Sequence, residues 1–153
     1  PGLRYLAKKA VRAGGGDTHR FSLSDGVIIK DNHLAVIGDV SRAVKLAREG
    51  VSFMHRVDVE VQSLEDAIKA AEAGADVVML DNMSPEQVRG VVEELRRRGL
   101  RDRVIVEVSG GITPENLREY ASLDVDVIST SYITMNPVRV DVSLEFVEVV
   151  RGP

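Results

Sequence analysis

The chain has 153 residues, 44% hydrophobic and 29% charged, enough for one domain with a substantial core and too few for two comfortable ones. Its formal net charge of −4 argues against nucleic acid as a main partner, since duplex binding wants a net basic surface. No apolar run reaches bilayer length, no basic, apolar-cored leader opens the chain, and no cysteine is present for disulfides or thiolate metal sites, so a cytoplasmic protein is expected.

The first predicted element is a helix on which Leu3, Leu6, Ala7, Ala10 and Val11 recur at helical spacing, stopped by Gly14-Gly15-Gly16. Val27 to Ile29 is a short apolar run ending in Lys30-Asp31-Asn32-His33. A helix from about Ser41 to Glu49 follows, then strand Val57 to Val61 and a helix capped by Ser63. Strand Val77 to Leu80 leads to Ser84-Pro85-Glu86-Gln87, where Ser is the N-cap, Pro the first helical residue and Gln the reciprocal partner of a capping box. Strand Val104 to Val108 runs through Ser109-Gly110-Gly111 to Thr113-Pro114-Glu115, read as another cap-and-proline start. Asp126 to Ser129 gives a fifth strand, and Val138 to Val150 reads equally as helix or strand. Arg96-Arg97-Arg98, with Arg101 and Arg103, falls at a helix end, where cations favour the negative terminus of the dipole.

Strands alternating with helices over short connections imply parallel pairing with crossovers. The expected fold is therefore α/β, an incomplete parallel α/β barrel over residues 1–153 with its site at the carboxyl ends of the strands; an open doubly wound sheet is the alternative.

The polar residues favour the barrel. In Val57-Asp58-Val59-Glu60-Val61 and Val104-Ile105-Val106-Glu107-Val108, alternation puts three valines on one face and an acid on the other. Glu60 and Glu107 each stand next to the last residue of their strand, and Asp81 follows Leu80 at the same station. Neighbouring strands thus aim carboxylates at one mouth, which is costly unless a cation such as Mg²⁺ or a hydroxyl-rich ligand such as a ribose meets them. Ser109-Gly110-Gly111, between strand and helix, can turn backbone N–H groups toward a phosphate. His19-Arg20 and Lys30 are the cations available for an anionic planar substrate. His33 reads as a cap or a ligand contact, and His55-Arg56, at the amino end of their strand, as structural.

Together these residues resemble the quinolinate phosphoribosyltransferase family. The carrying segments are Pro1-Gly2-Leu3-Arg4, Gly14-Gly15-Gly16 with His19-Arg20, and Leu23-Ser24-Asp25 running into Ile29-Lys30-Asp31-Asn32-His33. Further on come Val59-Glu60-Val61, Leu80-Asp81-Asn82, and Glu107-Val108-Ser109-Gly110-Gly111-Ile112.

The resemblance implies an enzyme that moves a phosphoribosyl group from phosphoribosyl pyrophosphate to quinolinate, with loss of CO₂. It implies that His19, Arg20 and Lys30 hold the two quinolinate carboxylates, and that Glu60 and Asp81 hold the ribose hydroxyls and Mg²⁺. Lys30, Glu60 and Asp81 are the catalytic candidates. Glu107 joins the substrate-binding set, and Ser109, Gly110 and Gly111, with Ser129 to Ser131, would cradle the 5′-phosphate.

Two departures stand out. The chain opens at Pro1, just after the place where the family carries an Arg-Lys segment, and its amino-terminal sandwich domain is expected outside this stretch. In the family that domain caps the barrel of a partner subunit, so a homodimer or larger homo-oligomer is expected. Ser131-Tyr132-Ile133-Thr134-Met135 stands where a Gly and a His are common. The rival readings are a nicotinate or other base phosphoribosyltransferase of this fold, a phosphate-binding barrel lyase or isomerase using Lys30, and an inactive fragment.

Overall fold

A computed structural model describes residues 2–148. Its strands form on the β-branched runs: β1 is Val27–Ile29, β2 Val57–Val61, β3 Val77–Asp81, β4 Ile105–Ser109 and β5 Val127–Ile128. All pair in parallel and in chain order, β1 to β5. This consecutive winding is that of a barrel, whereas a doubly wound sheet reverses its order at a switch point. With five strands and no pairing between β1 and β5 among the described residues, the barrel is incomplete.

Alternation assigns the two faces. Val57, Val59, Val61, Val78, Leu80, Val106 and Val108 are at most 2% exposed. They belong to one core with the helices α3 (Val40–Gly50), α4 (Leu64–Glu72) and α5 (Pro85–Arg97). Each such side chain contributes about 1.5–3 kcal/mol by leaving water, so this layer fixes the register. A slip of one residue would drive the strand acids into the helices. On the opposite face the pairing sets Ile28, Asp58, Val77 and Ile105 in one row, and Glu60, Met79, Glu107 and Val127 in the next. Asp81 and Ser109 begin a third.

The caps mostly fall where expected. Ser63 Oγ accepts the Asp66 N–H, and Ser84 and Gln87 form the reciprocal box ahead of α5, with Pro85 in its first turn. At α3 the cap is Asp39, which accepts the Arg42 N–H at 2.7 Å, so that helix starts earlier than Ser41.

Three expectations change, and the first helix forms as expected. A helix α2, Asp31–Ile37, follows β1 directly, and His33 Nδ1 accepts the Lys30 N–H at its start. His33 is therefore a cap. Helix α6 spans only Leu117–Ala121, because Asn116 ties Thr113 N–H and Gly111 C=O into a turn that holds Pro114 outside the helix. The reading of Val138 to Val150 as an element fails over its described part: beyond α7 (Tyr132–Met135) the chain to residue 148 is irregular, and 149 and 150 lie outside the described residues. Val138, Val140, Val142 and Leu144 alternate as in a strand yet are 82–90% exposed and pair with no strand among the described residues. Helix α1, Arg4–Ala13, also buries none of its residues, and Leu3, Tyr5 and Leu6 around its start stay exposed.

Candidate active site

The carboxyl ends of the strands gather the predicted side chains. Lys30, the first residue beyond β1, makes an ion pair with Glu60 near the end of β2. The bond to Glu60 raises the Lys30 pKa against the opposing effect of burial, and Asp81 adds to the rise. Lys30 is thus held as an ammonium. That suits binding an anion and opposes the free amine a Schiff-base lyase requires. Asp81 closes β3 and accepts from Gln62 Nε2 at 3.0 Å and Asn82 Nδ2 at 2.8 Å through a single oxygen, Oδ2. Lys30, Glu60 and Asp81 share one mouth.

Beneath it lies a second group. Glu107, 3% exposed, receives the Ser129 hydroxyl on Oε1 at 2.5 Å and faces His19 Nε2 from Oε2 at 3.5 Å. The contact with Glu107 raises the His19 pKa against burial. His19 sits on the loop between α1 and β1, with φ 53°, uncommon for a residue other than glycine. Asp17 accepts its N–H, and Lys8 of α1 bonds the carbonyls of Thr18 and Arg20. Arg20 Nη1 donates to Gly26 O at 2.9 Å, and its other guanidinium N–H groups have no partner among the described residues.

Asp58 completes this floor. Only 5% exposed, it leaves both carboxylate oxygens without a partner among the described residues. Burial, reinforced by the charge of Glu107 and opposed by His19, pushes its pKa up to about 7. One ligand atom from each of His19, Asp58 and Glu107 falls within 4.8 Å of the other two.

The glycine turn after β4 has a specific steric cause. Gly110 has φ 85° and Gly111 φ 64°. A Cβ on Gly110 would stand 2.5 Å from Asn82 Oδ1 and 2.8 Å from Asn82 N, while the Asn82 N–H bonds Ser109 O at 2.9 Å. The end of β3 therefore occupies the space a side chain would need. Helix α6 begins only at Leu117, so the turn has no helix N-terminus immediately behind it. Ser129 is committed to Glu107, and Ser131 heads α7 without capping a backbone N–H.

Sequence reasoning did not single out Asp58, Gln62 or Asn82. The alternation that picked Glu60 places Asp58 on the same face two residues earlier, so that signal was present. Gln62 carries none, and Asn82 entered only inside the segment Leu80-Asp81-Asn82. His55 is structural as read, bonding Ser24 O at 2.9 Å. A cavity of about 560 Å³ lies at the other end of the strands, lined by Arg56, Asp76, Arg101, Arg103, Asp124 and Asp126. Arg101 pairs there with Asp124 and Asp126, and Arg48 with Asp76, so this end is an ionic seam.

Comparison with known proteins agrees with this geometry. The family model described as quinolinate phosphoribosyl transferase, C-terminal domain, matches residues 1–145. The chain belongs to this family. It is 59% identical over 145 residues to a Methanothermobacter thermautotrophicus protein named as a probable nicotinate-nucleotide pyrophosphorylase (carboxylating), covering 95% of this chain and 52% of that one. The human nicotinate-nucleotide pyrophosphorylase (carboxylating) is 41% identical, with 95% of this chain and 48% of that protein aligned. Among solved structures of the family, a NadC deletion mutant superposes with TM-score 0.86 at 40% identity, covering 92% of this chain and 48% of that one. The chain spans about half the length of the curated relatives it matches.

Proposed function

We propose that this chain is the barrel half of an enzyme that transfers phosphoribose from phosphoribosyl pyrophosphate to quinolinate, releasing pyrophosphate and CO₂ and forming nicotinic acid mononucleotide. One observation carries the reading: Lys30, Glu60 and Asp81 meet at one mouth, with the His19-Arg20 loop tied into the same strands. The relatives' names point to the same chemistry.

On this reading Arg20 and Lys30, with His19 beneath, form the cationic side that takes the two carboxylates of the pyridine. Arg20 has N–H groups to spare, and Lys30 is held protonated. Glu60 and Asp81 form the acidic side for the ribose hydroxyls, and Ser109, Gly110, Gly111 and the Ser129–Ser131 loop receive the 5′-phosphate. As the pyrophosphate departs, positive charge develops at the ribose anomeric carbon; the fixed carboxylates of Glu60 and Asp81 stabilise it while the pyridine nitrogen attacks. Decarboxylation then leaves the electron pair of the broken C–C bond on the ring carbon beside the cationic pyridinium nitrogen, which stabilises it until a proton from solvent takes the place of CO₂, so the protein mainly positions charges.

Glu60 and Asp81 also suit Mg²⁺. Both offer hard oxygen donors, and Asp81 Oδ1 has no hydrogen-bond partner among the described residues. Bound with the substrate, the ion would neutralise charge on the leaving pyrophosphate. The exposed apolar residues of α1 and of the segment from Val138 to Val147 support a homodimer or larger homo-oligomer completed by an amino-terminal sandwich domain, since patches of this kind mark interaction surfaces. A cytoplasmic location fits these substrates, and no helix among the described residues is long and apolar enough to cross a membrane.

Calorimetric titration of the chain with quinolinate and with nicotinate tests the proposal. Quinolinate should bind at least about tenfold more tightly, as expected when a second charge-assisted contact is satisfied. Lys30→Ala should remove most of that preference. Equal affinity for the two acids, or a preference for nicotinate, would refute a dicarboxylate site.

A further inference from the structure

The group formed by His19, Asp58 and Glu107 has the spacing of a metal site, and both oxygens of the buried Asp58 lack partners. The histidine decides against that use. Its Nδ1 accepts the Arg20 backbone N–H at 2.8 Å, so the neutral ring carries its proton on Nε2, the nitrogen that faces Glu107. A histidine that ligates a metal through Nε2 instead keeps its proton on Nδ1 and donates it to an acceptor. Here the ring turns an N–H, not a lone pair, toward the carboxylates.

What remains is a relay. Ser129 on the loop after β5 donates to Glu107 Oε1, Glu107 Oε2 faces His19 Nε2, and His19 Nδ1 accepts the N–H of Arg20. Each oxygen of Glu107 has a protein contact and the residue is only 3% exposed, so it lies below the surface a sugar at the mouth would meet. The loop that carries Arg20 is held from outside by Lys8 of α1, and from inside by this chain of contacts. The left-handed backbone of His19 is what lets its ring turn inward and also receive the next residue's N–H.

We propose that Glu107, braced by Ser129, is a positioning residue for the pyridine-dicarboxylate subsite: it fixes the His19 ring, and through that ring the backbone from which Arg20 reaches the mouth. The role rests on the reading of His19-Arg20 as the acceptor side, and it moves Glu107 from substrate contact to support. Carboxylates that orient a metal-bound histidine change affinity about 10–100-fold when removed, and a loss of the same order is expected for the ring that Glu107 orients here.

The test uses the 153-residue chain with ¹⁵N-labelled histidine, assigning His19 with a His19→Gln control. Long-range ¹H–¹⁵N spectra should show the His19 ring fixed in the Nε2–H tautomer. In Glu107→Ala the Nε2–H, with its acceptor removed, should move upfield and exchange faster with water although the Arg20 N–H still sets the tautomer; in Glu107→Gln, whose amide oxygen still accepts the Nε2–H, it should stay protected. Calorimetry should show Glu107→Ala weakening quinolinate about tenfold or more while phosphoribosyl pyrophosphate changes less than about twofold, with partial rescue in Glu107→Gln. Ser129→Ala, a milder change should Glu107→Ala fail to fold, should weaken quinolinate in the same direction by a smaller factor. An unchanged His19 Nε2–H shift and exchange rate in Glu107→Ala, or a loss of phosphoribosyl pyrophosphate affinity as large as that of quinolinate, overturns the proposal. A wild-type chain that binds phosphoribosyl pyrophosphate but not quinolinate overturns the functional reading instead, and the spectra then decide the positioning claim alone.

Discussion

Asp58→Asn offers a direct measure of what the acidic floor costs the fold. Burial and the charge of Glu107 push the Asp58 pKa from 3.8 to about 7, and its oxygens find no partner among the described residues. Each pKa unit corresponds to about 1.4 kcal/mol, so the whole displacement amounts to ~4 kcal/mol. The sign follows from proton counting. Between pH 4 and 7 the folded chain keeps a proton that the unfolded chain has lost, so stability falls as pH rises through this window. The contribution is fully present below the unfolded value of 3.8 and is gone once the pH passes about 7. His19, whose pKa is also raised, changes stability in the same direction, but only above its ordinary value of 6.5. The clean comparison is therefore wild type against Asp58→Asn between pH 4 and 6, in metal-free buffer. Asn has nearly the same shape and no charge. Urea unfolding should show the wild type losing about 2 kcal/mol relative to the variant across those two pH units, or roughly 1 M in midpoint at an ordinary denaturant dependence. Above pH 7 the variant should be the more stable protein. Parallel pH profiles for the two chains would show that Asp58 is solvated or paired in solution, and the reasoning would be wrong.

Three further changes probe the frame around the site. Gly110→Ala forces a Cβ to within 2.5 Å of Asn82 Oδ1 at φ 85°, and should cost about 1–3 kcal/mol, read as a lower melting temperature. Tyr120→Phe removes the hydroxyl that donates to Met83 O at 3.0 Å from a residue only 8% exposed; about 1 kcal/mol should be lost in chemical denaturation with the fold intact by circular dichroism. Leu95→Ala empties a fully buried position on α5 and should destabilise by about 2–5 kcal/mol in the same assay; a cost below about 1 kcal/mol would mean that α5 does not pack on the sheet as described.

The strands and the helix starts at Ser63 and Ser84 were legible because each rests on local chemistry: valines at period two, and a hydroxyl placed to accept an exposed N–H. Alternation of elements pointed to parallel pairing, the acids at the strand ends favoured the barrel over a doubly wound sheet, and the strands do pair in consecutive order. Where the reading missed, the deciding contact was set by tertiary structure. Asn116 holds Thr113 and Gly111 in a turn, which delays α6 past the proline that suggested an earlier start. The alternating segment from Val138 onward has the pattern of a strand, but its apolar residues stay exposed and it pairs with no strand among the described residues. Asp58 lies two residues before Glu60, away from the strand-end station that marks Glu60, Asp81 and Glu107, although strand alternation makes it just as inward.

The same alternation explains why the inner face reads as functional. Val77, Met79, Ile105 and Val127 show that apolar side chains fit there, on the same rows of the barrel as Asp58, Glu60 and Glu107. Valines at 58, 60 and 107 would remove the desolvation of three acids and add apolar burial, so the present residues lower stability at neutral pH. Such a choice is stable only while something opposes each charge. Lys30 opposes Glu60, and His19 with Ser129 opposes Glu107. At Asp58 no hydrogen-bond donor among the described residues does, the nearby charges of His19 and Arg20 offset only part of the burial, and its pKa rises. The helix-facing valines supply the stability that this face gives up, which is why one strand can carry a saturated core on one side and a charged floor on the other.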